Sequence, residues 1–212
     1  MNRRYLAQRL LNEGHLSQKE LAELLRQRSF GAFEKAAASL EGTDEHPAMT
    51  AVRRLAGPEL QIEVEAYSEY MELFMDSLMD FLEAPAVIDT QMVPPDETSA
   101  VFYAVSQRMD GDMSIVSGIM AESREFAELA TRYSEEQFDA PEDEYAMDSL
   151  EEFLNVVNGV FSVREAVKDE EIDLEVPRHG KLMNPMGNQQ LVLRVYADFG
   201  MFYVVLASDE FM

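Results

Sequence analysis

The stretch Met147-Asp148-Ser149-Leu150-Glu151-Glu152-Phe153-Leu154-Asn155-Val156-Val157-Asn158-Gly159 decides how this chain is read. Its apolar residues recur at helical spacing, so Leu150, Phe153, Leu154, Val157 and, further on, Phe161 can form one buried stripe. Two asparagines and a glycine interrupt that pattern, and each costs several tenths to about 1 kcal/mol relative to Ala inside a helix. Something other than helix stability placed them there. Glu152 and Asn155, three apart, project side by side from one face. The helix therefore offers one carboxylate and one carboxamide on a rigid support.

In these residues the chain resembles the CheC/CheX/FliY group of chemotaxis phosphatases. That family's signature is an Asp or Ser, three residues, a Glu, two residues, an Asn, and a Pro some twenty residues on. Asp148, Glu152, Asn155 and Pro177 match it, with Gly159 at the small position one turn past the Asn. Pro177 lies one residue closer than the usual pattern puts it, a departure in a loop. The resemblance spans about residue 59 to the C-terminus and leaves out the first sixty residues.

Composition bounds the alternatives. A chain of 212 residues with 47% hydrophobic content can bury a sizeable core and form one or two domains. It has no cysteine, which excludes disulfides, thiolate catalysis and cysteine-ligated metals. The N-terminus lacks the apolar run of a signal peptide, and no stretch approaches the roughly 18 apolar residues of a spanning helix. The expected location is the cytoplasm. The net charge of −24 is unevenly placed: nine Lys and Arg face eight Asp and Glu through Leu60, and eight face thirty-three after it. An acidic surface repels phosphate backbones and anionic membranes, so nucleic-acid binding and membrane insertion are not expected. The same acids also serve solubility.

Along the chain, the first part reads as short helices. Ser17-Gln18-Lys19-Glu20 is a capping-box pattern, with Leu16 and Leu21 as a hydrophobic staple. This is a helix-turn-helix in the loose sense, but Leu21 to Arg28 carries Glu23 beside Arg26 and Arg28, which suits a packing or docking module better than a DNA reader. Further helices are expected over Phe33 to Leu40 and Pro47 to Leu55. Gly57-Pro58 marks a boundary, giving a helical module over 1–57, whose partner is unknown, and a second domain over 59–212.

In the second part, apolar spacing predicts a helix from Gln61 to Leu82. Strands follow at Ala86 to Val93, Ala100 to Arg108 and Asp112 to Met120, with Met109-Asp110-Gly111 as a hairpin turn. A helix over Glu122 to Tyr133 precedes the motif helix, Tyr145 to Val167. Strands at Ile172 to Val176, Gln190 to Phe199 and Met201 to Ala207 close the chain. Met75-Asp76-Ser77-Leu78-Met79-Asp80-Phe81-Leu82-Glu83 aligns with Met147 to Asn155, a possible internal repeat. The first copy has Asp80 in place of the Glu and Glu83 in place of the Asn, which points to a single working site.

The resemblance implies an α/β (α+β) pseudo-twofold fold, with a continuous antiparallel sheet and two long helices, preceded here by the small all-helical N-terminal module. It implies the CheX branch, and a substrate: the phosphorylated aspartate of a CheY-like response regulator. Asn155 would position the attacking water and Glu152 would anchor the receiver's lysine, with Asp148 and Gly159 at the contact. Mg²⁺ would be supplied by the response regulator, and the three scattered histidines offer no metal spacing of their own. CheX relatives form dimers by pairing sheet edges, and the apolar final strands, with Val192, Val195, Tyr203, Val204 and Val205, suit such a homodimer. The alternative is a non-catalytic response-regulator-binding or scaffold module.

Each of these residues also has a plainer reading. A Glu and an Asn one turn apart on an exposed face are ordinarily just solvated. Asp148 reads equally as a surface residue, Pro177 as a loop former and most of the fourteen methionines as core filler. Asn158 is a rival to Asn155, although only Asn155 has the family spacing from Glu152.

Overall fold

The computed structural model describes residues 5–17, 20–21, 45–57, 63–90, 101–141, 143–187 and 189–212. Among them are five helices: α1 (Leu6–Asn12), α2 (Pro47–Leu55), α3 (Val64–Leu82), α4 (Ser123–Ser134) and α5 (Glu144–Ala166). The strands are β1 (Ala86–Ile88), β2 (Phe102–Gly111), β3 (Ile115–Ala121), β4 (Ile172–Leu174), β5 (Arg178–Leu182), β6 (Gln190–Ala197) and β7 (Gly200–Ala207). They form a seven-stranded sheet in the order β1-β6-β7-β3-β2-β4, with β5 also on β2. Every registered pairing is antiparallel.

One compact unit contains α1, α2, α3, β1 and the end of β6. Leu6, Ala7, Leu10 and Leu11 of α1 recur at helical spacing and meet Leu21 and Val87 in one apolar cluster. The capping box closes as expected: Glu20 accepts from the Ser17 amide at 2.9 Å, and the Glu20 amide donates to Ser17 Oγ at 3.4 Å. Buried Gln8 serves both backbone groups of Ile88, donating to its carbonyl at 3.0 Å and accepting from its amide at 2.6 Å. Helix α1 is thereby fastened to strand β1 by the same kind of bonds a neighbouring strand would make. Pro47 opens α2 at a position where its missing N–H costs nothing, and His46 Nδ1 accepts from the Ala48 amide. Arg53 of α2 pairs with both Glu45 and Glu65, and hydrogen bonding to it holds both carboxyls below the ordinary range.

The second unit holds β2 to β5, α4, α5, β7 and the first part of β6. Strands β2 and β3 pair from Tyr103↔Ala121 to Met109↔Ile115. Side chains alternate across a strand, so Phe102 and Ala104 face one way, into a cluster with Val116, Met120, Tyr203, Val205 and Phe211. Tyr103, Val105, Gln107 and Met109 face the other way. Helix α5 packs against β2.

The structure departs from the sequence reading in three places. The hairpin turn does not fall at Met109-Asp110-Gly111: β2 runs on to Gly111 because β4 pairs with it there, through Gly111↔Ile172. Strand β5 was not foreseen, because Arg-His-Gly-Lys-Leu shows no apolar alternation; its partner β2 supplies the ladder. The final strands are interior to the sheet, β6 lying between β1 and β7 and β7 between β6 and β3. The expected helix over 33–40 and the segments 22–28 and 91–100 lie outside the described residues.

Candidate functional site

The motif helix begins at Asp143, whose carboxylate accepts from the Tyr145 amide at 3.0 Å, an N-cap that also places negative charge at the helix's positive end. Leu150, Phe153, Leu154, Val157 and Phe161 are fully buried, the stripe expected from the sequence. On the outer face Asp148 and Glu152 are exposed, Asn155 is half-buried and Gly159 has open space where a Cβ would stand. Asn158 is 0% exposed and turns inward. The two asparagines thus play different parts, and Asn158 is not available to a partner molecule.

The inward network explains why polar residues sit at this level of the helix. Gln107, on the α5 side of β2 and 2% exposed, donates from Nε2 to Asn155 Oδ1 at 2.8 Å and to the Glu175 carbonyl at 2.7 Å. Its Oε1 accepts from Asn158 Nδ2 at 2.8 Å, and Asn158 Oδ1 accepts from Ser117 Oγ at 3.0 Å. Gln107 and Ser117 are register partners on β2 and β3. Buried polar groups left unpaired would cost about 1–3 kcal/mol each, so this layer holds together as a set. Gln107 and Ser117 were not anticipated. Their signal was a Gln on the strand face that otherwise carries Tyr103, Val105 and Met109, visible only once the register was known.

The rim is also fixed from the sides. Pro177 is half-buried in the loop between β4 and β5, and that loop is tied to β2 through the Glu175 carbonyl on Gln107 and the Glu175 amide on the Arg108 carbonyl at 2.9 Å. His179 of β5 pairs with Glu151 at 2.8 Å, one residue from Glu152. Tyr133 of α4 sets its ring edge-on to Phe153, with centroids 5.4 Å apart. Burial first, and the Glu152 carboxylate second, push the Tyr133 hydroxyl above its ordinary range.

In α3, the helix that carries the aligned stretch, Asp76 accepts from the Tyr5 hydroxyl at 2.5 Å. Glu83, at the position aligned with Asn155, is no longer helical: its backbone is left-handed, with φ 48°, and it ends α3. That copy cannot hold the carboxylate and carboxamide on one helical face. Among the described residues, no group of three His, Asp or Glu side chains is arranged to hold a metal ion, and no helix is long and apolar enough to cross a membrane.

No protein-family model matches the sequence, and no curated protein matches it. Solved structures do resemble the chain. A CheC-like superfamily protein from Shewanella sp. PV-4 matches with a TM-score of 0.57 at 15% identity, over 69% of this chain and 98% of that one. The chemotaxis protein CheX from Vibrio vulnificus matches with a TM-score of 0.56 at 12% identity, over 68% and 98%. CheX from Borrelia burgdorferi, solved as a CheX–CheY–BeF3–Mg²⁺ complex, matches with a TM-score of 0.50 at 18% identity, over 67% and 96%. The near-equal scores of the first two do not separate the CheC and CheX branches. In its mixed helices and its antiparallel seven-stranded sheet, this chain has the CheC/CheX fold.

Proposed function

We propose that this chain is a phosphatase for the phosphorylated aspartate of a CheY-like receiver domain. The observation that carries the reading is the outer face of α5, where a half-buried carboxamide, Asn155, stands one turn from an exposed carboxylate, Glu152. The fold supports it, as does the CheY partner of the Borrelia CheX.

Hydrolysis of an acyl phosphate demands little covalent chemistry of the protein and much positioning. A water oxygen attacks phosphorus in line, the bond from phosphorus to the aspartyl oxygen breaks, and the electron pair leaves with the aspartate carboxylate. The water's proton ends on inorganic phosphate. Asn155 orients that water: a carboxamide accepts at one atom and donates at the other, and carries no charge to repel the phosphoryl group. Glu152 pairs with the receiver's lysine and sets the register of the inserted helix. Asp148, one turn earlier, and Gly159, with open space above it, complete the contact. The Mg²⁺ belongs to the phosphorylated receiver and arrives with the substrate.

The lifetime of a phosphorylated receiver tests this. Acceleration by catalytic amounts of the chain supports the phosphatase. A receiver that binds and keeps or lengthens its phosphoryl lifetime identifies a non-catalytic binding module instead.

A further inference from the structure

We propose that Gln107 is a positioning residue that fixes which end of the Asn155 carboxamide faces the acyl phosphate; the inference rests on the phosphatase reading above. Oxygen and nitrogen of an amide are told apart only by their partners, and here one partner admits a single assignment. The Glu175 backbone carbonyl can only accept, so the Gln107 atom 2.7 Å from it is the NH₂ group. The same nitrogen lies 2.8 Å from Asn155, so the Asn155 atom facing it is the oxygen. Gln107 Oε1 must then accept, and it does so from Asn158 Nδ2 at 2.8 Å, whose own oxygen takes the Ser117 hydroxyl.

Both Gln107 N–H groups are therefore committed, one to the loop that carries Pro177 and one to Asn155. A flip of the Asn155 amide would set NH₂ against NH₂ at the Gln107 contact. Asn155 Nδ2 points away from Gln107 and donates to no described residue. The geometry gives Asn155 a defined polarity: Nδ2 outward toward a phosphoryl oxygen, and the second lone pair of Oδ1 for a hydrogen of the attacking water. An exposed Asn without this partner would populate both amide orientations, only one of which matches the reaction.

The test pairs kinetics with side-chain amide NMR, using the whole chain and a phosphorylated receiver. Gln107→Met keeps the length and removes the donors. The expected result is a fall in kcat of about 10- to 100-fold, with the half-saturating receiver concentration and the affinity for a beryllofluoride-loaded receiver unchanged. A Gln107→Met variant with wild-type kcat overturns the proposal, and so does one that loses affinity and kcat in parallel. The NMR arm needs no activity. In the wild type the Gln107 Nε2 protons should be protected from solvent exchange while those of Asn155 Nδ2 are not, and Gln107→Met should move the Asn155 Nδ2 resonance. Unprotected Gln107 protons in the wild type, or an unmoved Asn155 resonance, overturn it, even if the variant proves too unstable for kinetics. Should no receiver be dephosphorylated by the wild type, the phosphatase reading falls while the NMR result still decides whether Gln107 holds the Asn155 amide.

Discussion

Gln107 donates a hydrogen bond across 2.8 Å to Asn155, joining the centre of strand β2 to the outer rim of helix α5. The bond links two requirements usually met separately. The strand needs a partner for a buried polar side chain, and under the proposed phosphatase reading the helix needs a carboxamide held in one orientation. Here each satisfies the other, which accounts for asparagine at two positions of a helix that would be more stable without them.

In the other compact unit, Gln8 plays a comparable role as a side chain standing in for a strand. Gln8→Leu would leave the Ile88 amide and carbonyl without these bonds, in a buried setting. The expected loss is about 2–4 kcal/mol of unfolding free energy, read as a lowered urea midpoint. An unchanged midpoint would show that α1 adds nothing to the stability of β1.

Gly111 is held to glycine by a close approach. A Cβ there would stand 1.9 Å from the Glu171 carbonyl oxygen, on backbone that cannot swing aside. Gly111→Ala should force β4 away from β2 and cost about 1–3 kcal/mol or more, measurable by chemical denaturation. A variant as stable as the parent would contradict the β2–β4 register.

The ionisation of Tyr133 reports on Glu152. A hydroxyl pKa raised in the folded state contributes stability that is present below the ordinary tyrosine value and is lost as pH rises through the folded value. In Glu152→Gln the Tyr133 titration, followed by its phenolate absorbance, should move part of the way back, because burial is the larger cause and remains. A titration unmoved by the substitution would place Glu152 too far from Tyr133 to act on it.

Much of this was legible in the sequence because it rests on periodicity and local chemistry. The apolar stripe Leu150 to Phe161, the capping box at Ser17 and Glu20, and helix α2 from Pro47 all follow from spacing and end residues. What stayed hidden depends on partners distant in the chain. Gln107 meets Asn155 only through the β2 register and the packing of α5, and β5 is a strand only because β2 offers it a ladder. Gly111 looks like a turn residue in sequence, and its real constraint is Glu171, brought in by the segment after α5. The outward placement of Glu152 was readable from the helix alone; the half-burial of Asn155 and the polarity of its amide, both set by Gln107, were not.

The proposed phosphatase activity is tested by phosphate release from a Mg²⁺-loaded, phosphorylated CheY-type receiver, comparing the wild-type chain with Asn155→Ala and Glu152→Lys. The wild type is expected to accelerate release, Asn155→Ala to lose at least about 100-fold in kcat while still binding the receiver, and Glu152→Lys to fail chiefly in binding. An Asn155→Ala variant that releases phosphate as fast as the wild type would contradict the proposal.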